Sequence, residues 1–167
     1  MSQVLLLFIV PALLALAAGW DLTSYTIPNF LSAALIAAFV LFALATHMTL
    51  GAAGTHLLAG ALGLFAGFAL FALGTIGGGD AKLFAAIALW LGFANLLDFT
   101  LAASLFGGAL AILILGLRHL PLPAPFSGQS WLMRLHDEKA GIPYGVALAA
   151  GALVVLPGTE MYRMAAL

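Results

Sequence analysis

The residues best able to do chemistry in this sequence are two aspartates, Asp21 and Asp80, and a lysine, Lys82. All three lie at the edges of long apolar stretches, where an ionisable side chain is costly to keep and its position is therefore informative. The chain has no cysteine, which excludes disulfides, thiolate metal sites and a cysteine nucleophile. Carboxylates, histidines and hydroxyls remain as catalytic candidates.

Two aspartates that face each other cannot easily both be ionised, so they titrate as a pair. The ionised member can take a proton from a water that attacks a peptide carbonyl, while the protonated member polarises that carbonyl. This chemistry requires neither a metal nor a cofactor, and we predict none. Asp21 follows the first apolar stretch and Asp80 the third, so two membrane crossings separate them and return both to one face.

The other polar candidates favour structural roles. His47 and His56 flank a glycine-rich segment with no third ligand nearby, which argues against a metal site. Serines and threonines lack a base at a recognisable spacing, so a serine mechanism has little support. Asp98 follows the fourth apolar stretch, and we expect it to cap the amino terminus of the fifth helix.

The two aspartates sit in different local sequences. Three glycines, 77–79, precede Asp80 and are poor helix formers, so we expect the fourth helix to begin near Asp80. Residues 21–29 indicate a polar turn that enters the second helix, with Pro28 at the first helical position. Asn29 either hydrogen-bonds that turn or is an exposed amide. Lys82 either tunes the aspartate pair or reaches lipid phosphates.

Composition indicates that these residues are positioned by membrane helices. Of 167 residues, 65% are hydrophobic and 7% are charged, which leaves too few polar side chains to cover a soluble globule. Six apolar stretches approach the length of about 20 helical residues that a bilayer requires, at 3–20, 28–46, 55–76, 81–97, 99–117 and 142–156. We therefore predict an all-α, polytopic bundle of about six transmembrane helices in a single domain, residues 1–167. No basic residue precedes the first stretch, which argues against a cleaved signal.

Basic residues predict the orientation of this bundle, because Lys and Arg in short loops stay on the cytoplasmic side. With six crossings, Lys82, Arg118, Arg134 and Lys139 share one side, whereas Arg163 lies on the other. Both termini should then face outward, and the loop 118–141 and both aspartates should face the cytoplasm. Within that loop, residues 131–138 form either a short helix at the lipid surface or a solvated loop. A formal net charge of -1 argues against a nucleic-acid partner.

Three motifs in this order resemble the type IV prepilin peptidases. The first is Asp21 followed by Ile27-Pro28-Asn29; the second is Gly77-x-Gly79-Asp80 followed by Ala-Lys82-Leu; the third is Pro143-Tyr144-Gly145. Gly-x-Gly-Asp alone is weak evidence because presenilin-like proteases share it. All three motifs, spread over six apolar stretches, make a specific match.

The resemblance implies a membrane-embedded aspartic endopeptidase of the Gly-x-Gly-Asp type in the inner membrane. Asp21 and Asp80 match the catalytic pair of that family, and the other motif residues would support them. The expected substrate is a pilin or pseudopilin precursor, whose basic leader is removed at the cytoplasmic face just after a glycine. Members with methyl-transfer activity carry an additional cysteine-bearing region that this sequence lacks, so the chain is similar to the short peptidases of tight-adherence pili or of archaea. The oligomeric state stays open.

Two other functions are compatible with these residues. One is a catalytically silent assembly scaffold or a small ion-coupled transporter, in which Asp21, Asp80 and Lys82 form a structural or ion-coupling cluster. The other is a presenilin-like protease of different specificity, which would leave Ile27-Pro28-Asn29 and Pro143-Tyr144-Gly145 unexplained.

Overall fold

The computed structural model describes residues 2–121 and 128–166, with side chains for residues 8–121 and 128–163. Within these ranges all of the regular secondary structure is helical, without a strand, which confirms the predicted all-α class. The helices are α1 (Ser2–Ser24), α2 (Asn29–Ala45), α3 (Leu50–Ala72), α4 (Gly78–Arg118), α5 (Ser130–His136), α6 (Tyr144–Val155) and α7 (Glu160–Ala166), and a short 3-10 turn, Leu156–Gly158, joins α6 to α7.

The outer surface of the helices is apolar. Among the described residues, α3 and α4 are long and apolar enough to cross a membrane, and α1, α2 and α6 contribute shorter apolar helices. Large hydrophobic side chains point outward, including Phe65, Leu105 and Ile112, each about three-quarters exposed. A soluble protein rarely exposes apolar surface on this scale, whereas lipid favours it. The chain is a membrane protein.

α4 reverses direction at Gly92, so that it forms a hairpin of two arms, 78–91 and 93–118. Gly92 has φ 64° and ψ -179°, a backbone conformation open essentially only to glycine. The rings of Phe84 and Phe99 lie 5.1 Å apart, whereas in a straight helix their Cα atoms would be about 22 Å apart. The prediction that Asp98 caps a new helix was wrong, because the reversal occurs six positions earlier and Asp98 lies exposed within the second arm.

His56 stabilises this reversal. Its Nδ1 donates a hydrogen bond to the carbonyl oxygen of Leu89 at 2.8 Å, and a Cβ on Gly92 would come within 2.9 Å of the imidazole. The last carbonyls of a helix have no partner in their own helix. His56 thus satisfies one of the groups that the break in α4 leaves free.

Other helix ends also differ from the predicted ones. α1 continues to Ser24, so Asp21 lies in its last turn rather than in a polar turn after it. Pro28 is the N-cap of α2 rather than its first residue. α3 begins at Leu50 and ends at Ala72, several residues earlier at each end than predicted. α7 was not predicted, because it is short and follows a Pro-Gly pair.

Small residues allow the helices to pack closely. Along α3, Gly60, Gly63 and Gly67 face the first arm of α4, where a Cβ on Gly67 would meet the Cα of Ala81 at 2.9 Å. These glycines thus form a close helix contact between α3 and α4. α6 packs against both α1 and α4, and a Cβ on Gly151 would meet the backbone of Ala103 at 2.7 Å. α6 is therefore the element that brings α1 and α4 together.

Candidate active site

Asp21 is a buried carboxyl near the carboxyl end of α1. It is 5% exposed, and its Oδ2 accepts a hydrogen bond from the backbone N–H of Gly145 at 2.6 Å. Gly145 belongs to the first turn of α6, where N–H groups have no partner within the helix. The start of α6 therefore fixes the orientation of Asp21.

Asp80 lies in the first turn of α4, as the three preceding glycines led us to expect. Its Oδ2 accepts a hydrogen bond from the backbone N–H of Gly77 at 3.1 Å, which caps the helix. Its Oδ1 is buried and has no hydrogen-bond partner among the described residues. A carboxylate at a helix amino terminus is stabilised by the helix dipole. One oxygen of Asp80 therefore caps the helix, and the other is buried without a partner among the described residues.

Ile27 lies between the two segments that carry the aspartates. A Cβ on Gly79 would approach the Cβ of Ile27 to 3.1 Å, and a Cβ on Gly145 would approach its Cδ1 to 2.6 Å. The same position on Gly145 would lie 2.8 Å from Oδ2 of Asp21. These contacts place the segment that carries Asp80 beside the one that carries Asp21. Residues from all three sequence motifs thus meet at one place.

The prolines and the tyrosine of these motifs set the helix starts around the aspartates. Pro28 precedes α2 and Pro143 precedes α6, both as N-caps. Pro143 is fully buried. The ring of Tyr144 lies over Gly107 in the second arm of α4, where a Cβ would come within 2.8 Å of the ring. Tyr144 thus packs the start of α6 onto the second arm of α4.

Lys82 and Asn29 form a direct link between α4 and α2. Lys82 Nζ donates a hydrogen bond to Oδ1 of Asn29 at 2.9 Å. Asn29 therefore contacts Lys82, an interaction not anticipated among the alternatives for either residue. The bond lies on the exposed surface beside the aspartate-bearing segments and ties their helices together.

The loop before α6 is fastened to α1 and α4 by two arginines that sequence reasoning did not single out. Arg134 of α5 donates from Nη1 to the carbonyl of Ser24 at 2.9 Å, and its guanidinium lies 5.9 Å from the ring centre of Tyr25. Arg118 donates to the carbonyls of Leu135 and Ala140, at 2.8 and 2.9 Å. Of the segment 131–138, which is compatible in sequence with a short helix or a solvated loop, residues 131–136 belong to the short helix α5.

Tyr25 follows α1 directly and lies under this loop. Its φ of 57° places it in the left-handed region, and its Oη is buried without a hydrogen-bond partner among the described residues. Burial raises the pKa of the phenol above its ordinary value, and the neighbouring Arg118 opposes that shift.

The sequence offered one signal for Arg118 and Arg134, namely that cations are rare in this chain.

The histidines lie elsewhere. His56 is engaged at the α4 hairpin, and His47 is exposed after α2. Within the described ranges, no three His, Asp or Glu side chains are grouped so that they could hold a metal ion. The arrangement that remains is a pair of carboxyls between apolar helices, suited to general acid and base chemistry on a bound substrate.

Comparison with known proteins assigns the chain to a family. The family model of the type IV leader peptidases matches residues 8–112, a range that contains both aspartates and the first two motifs. No curated protein and no solved structure matches the chain. The matched range covers well over half of the 167 residues. This chain therefore belongs to the type IV leader peptidase family, and it is a protease of the membrane.

Proposed function

We propose that the chain is an aspartic endopeptidase that removes the basic leader from type IV pilin or pseudopilin precursors at the cytoplasmic face of the inner membrane. In this proposal Asp21 and Asp80 are the catalytic pair. Ile27, Pro28, Asn29, Gly77, Gly79, Lys82, Pro143, Tyr144 and Gly145 hold the helices that carry the pair. No metal or cofactor takes part.

The observation that supports this proposal most is the convergence of three separated motifs on one site. Gly145 contacts both Asp21 and Ile27, and Ile27 contacts Gly79 beside Asp80. A catalytically silent scaffold would have no need for two carboxyls held near each other with one oxygen unpartnered. An ion-coupled transporter could also use such a pair, but the match to a peptidase family favours a protease. An acid and base pair needs both features, since one group must reach the attacking water and the other the carbonyl of the substrate.

The reaction follows from a pair that shares one proton. The ionised carboxylate removes a proton from a water molecule, whose oxygen attacks the carbonyl carbon of the scissile peptide bond. The protonated carboxyl donates a hydrogen bond to the carbonyl oxygen and stabilises the charge that develops there. The tetrahedral intermediate then collapses, the C–N bond breaks, and a carboxyl group transfers a proton to the departing amine.

In our proposal the helices cross the membrane six times, with the two arms of α4 counted separately. The basic residues Lys82, Arg118, Arg134 and Lys139 then lie in the cytoplasm with the active site, and both termini lie outside. We treat residues 1–167 as one peptidase domain, without methyl-transfer activity. Labelling of an introduced Lys139→Cys by an impermeant thiol reagent in intact cells would contradict this orientation.

The experiment that tests the function is co-expression with a pilin precursor. The wild-type chain should convert the precursor to a shorter product whose new amino terminus, read by sequencing, lies just after the basic leader. Asp21→Asn and Asp80→Asn should each leave the precursor intact, because an amide cannot accept the proton of the water. Asp98→Asn is the matched control, since Asp98 is exposed within the second arm of α4, and it should process normally.

Leader removal that survives Asp21→Asn or Asp80→Asn would contradict the aspartic mechanism. Failure of the wild-type chain to process any pilin precursor would favour the scaffold or the transporter.

A further inference from the structure

An apolar groove opens beside Asp80 on the side of the molecule where α3 faces the second arm of α4. We call it the α3–α4 groove. Its volume is about 390 Å³, and it is lined by Ala66, Gly67, Leu70, Ile76, Asp80, Phe84, Thr100, Ala103, Ser104, Gly108, Tyr144 and Leu148. Among the described residues that line it, Asp80 has the one charged side chain. The groove therefore joins an apolar surface of the helices to the carboxyl of Asp80.

The walls of this groove are suited to a helix. Thr100, Ser104 and Gly108 line it along one face of the second arm of α4. The first and the last are eight positions apart, which is about 12 Å or two helical turns. The hydroxyls of Thr100 and Ser104 donate to carbonyls of the preceding turn, at 2.7 Å each. They consequently present small, satisfied side chains, the type of surface against which membrane helices pack closely.

A second apolar groove provides a contrast. It lies between α2 and α3, has a volume of about 550 Å³, and contains Lys82 and Asn29 at its polar end but neither aspartate. A substrate helix in that groove would be next to a lysine whose Nζ already has a partner. It would not be next to the unpartnered oxygen of Asp80.

We propose that the α3–α4 groove is the lateral docking site for the apolar helix of the substrate, with the scissile bond delivered to the Asp80 end. The position of the groove identifies its occupant. When the scissile peptide bond of a substrate reaches Asp80, the neighbouring segment of that substrate lies in the groove, and the apolar lining favours an apolar segment. The proposal rests on the proposed peptidase function and adds the surface by which a membrane-embedded precursor is bound.

Matched glycine substitutions test this site. Gly108 and Gly116 lie on the same arm of α4 and both are exposed, and a Cβ on either would meet nothing within 4 Å. Gly108 lines the groove and Gly116 does not. Gly108→Phe would fill part of the groove, so we expect kcat/KM for a full-length pilin precursor to fall by about tenfold or more, mainly through KM. Gly116→Phe, and Ala61→Phe in the second groove, should process at the wild-type rate.

A truncated precursor separates docking from catalysis. A soluble peptide that carries the leader and only a few residues beyond the cleavage site does not fill the groove. Gly108→Phe should therefore lose much less activity on this peptide than on the full-length precursor. Equal losses on both substrates, or equal rates for Gly108→Phe and Gly116→Phe on the full precursor, would overturn the groove while leaving the peptidase function intact. Inactivity of the wild type on both substrates would refute the proposed peptidase function, and with it the groove proposal that rests on that function.

Photo-crosslinking gives a readout that does not depend on the bulky variant. A benzophenone amino acid at position 108, in the inactive Asp21→Asn chain, should crosslink to the apolar segment of the precursor, and the same amino acid at position 116 should not. Crosslinks to lipid alone at position 108 would overturn the proposal.

Discussion

At the scale of single residues, two glycines of the motifs matter because of the space they leave. Gly145 lies against Asp21 and Ile27, and Gly79 lies against Ile27, at distances that leave no room for a Cβ without movement. Gly145 also donates the N–H that holds Asp21. A side chain there would displace the carboxyl that we propose to be catalytic.

We predict that Gly145→Ala lowers kcat/KM for a pilin precursor by about a hundredfold, the typical result of moving a catalytic group by about 1 Å. The added methyl would lie 2.6 Å from Cδ1 of Ile27 and 2.8 Å from Oδ2 of Asp21. Gly141→Ala is the matched control, because a Cβ at that position meets nothing within 4 Å. Cleavage rates of the two purified variants are the measurement, and equal rates would contradict the role assigned to Gly145.

The sequence predicted the motif residues but not all of their contacts. Asp21 and Asp80 stood out because charge is rare and costly in this chain, and the structure brings their segments together through Ile27. The sequence did not predict the roles of Arg118, Arg134 and Tyr25. The two arginines bind backbone carbonyls, and Arg134 also lies over the ring of Tyr25, and only the folded loop brings these groups together. Sequence spacing carries no signal for such contacts.

At the scale of elements, the α4 hairpin determines which groups share the groove. Its reversal at Gly92 brings Phe84 against Phe99 and places Asp80 beside Ser104 and Gly108. Apolar runs predicted the existence of both arms, because each run is long. The predicted boundary between them, at Asp98, was wrong. In a sequence, a charged residue indicates a helix end more strongly than a glycine within an apolar run does. The positive φ that marks Gly92 as the point of reversal is visible only in the folded backbone.

We predict that Gly92→Ala destabilises the chain by about 1–3 kcal/mol, because alanine is strained at this backbone conformation. The added Cβ would also press on the imidazole of His56 at 2.9 Å, which threatens the hydrogen bond to Leu89. The control is Gly54→Ala within α3, where a Cβ meets nothing within 4 Å and alanine favours the helix.

Thermal unfolding of the detergent-purified variants measures this difference. The melting temperature should fall for Gly92→Ala and stay level or rise for Gly54→Ala. A Gly92→Ala chain as stable as the wild type would show that the reversal does not depend on glycine.

At the scale of the whole molecule, the site exists because α6 packs on α1 and α4 together. The even number of crossings predicted that Asp21 and Asp80 share a face of the membrane, but it contained no information on their separation. Their proximity depends on the close packing of α6 against Asp21, Ile27 and Ala103 through its glycines. Packing of that kind follows from three-dimensional shape and cannot be derived from apolar runs.

The central claim is that the carboxyls at positions 21 and 80 meet, and thiol crosslinking tests it most directly. The natural chain has no cysteine, so every crosslink comes from the introduced pair. Asp21→Cys with Asp80→Cys, treated in isolated membranes with a short bifunctional thiol reagent, should give a 21–80 crosslinked peptide in high yield by mass spectrometry. Asp21→Cys with the exposed Asp98→Cys should give little. A 21–80 yield no greater than the 21–98 yield would contradict the account.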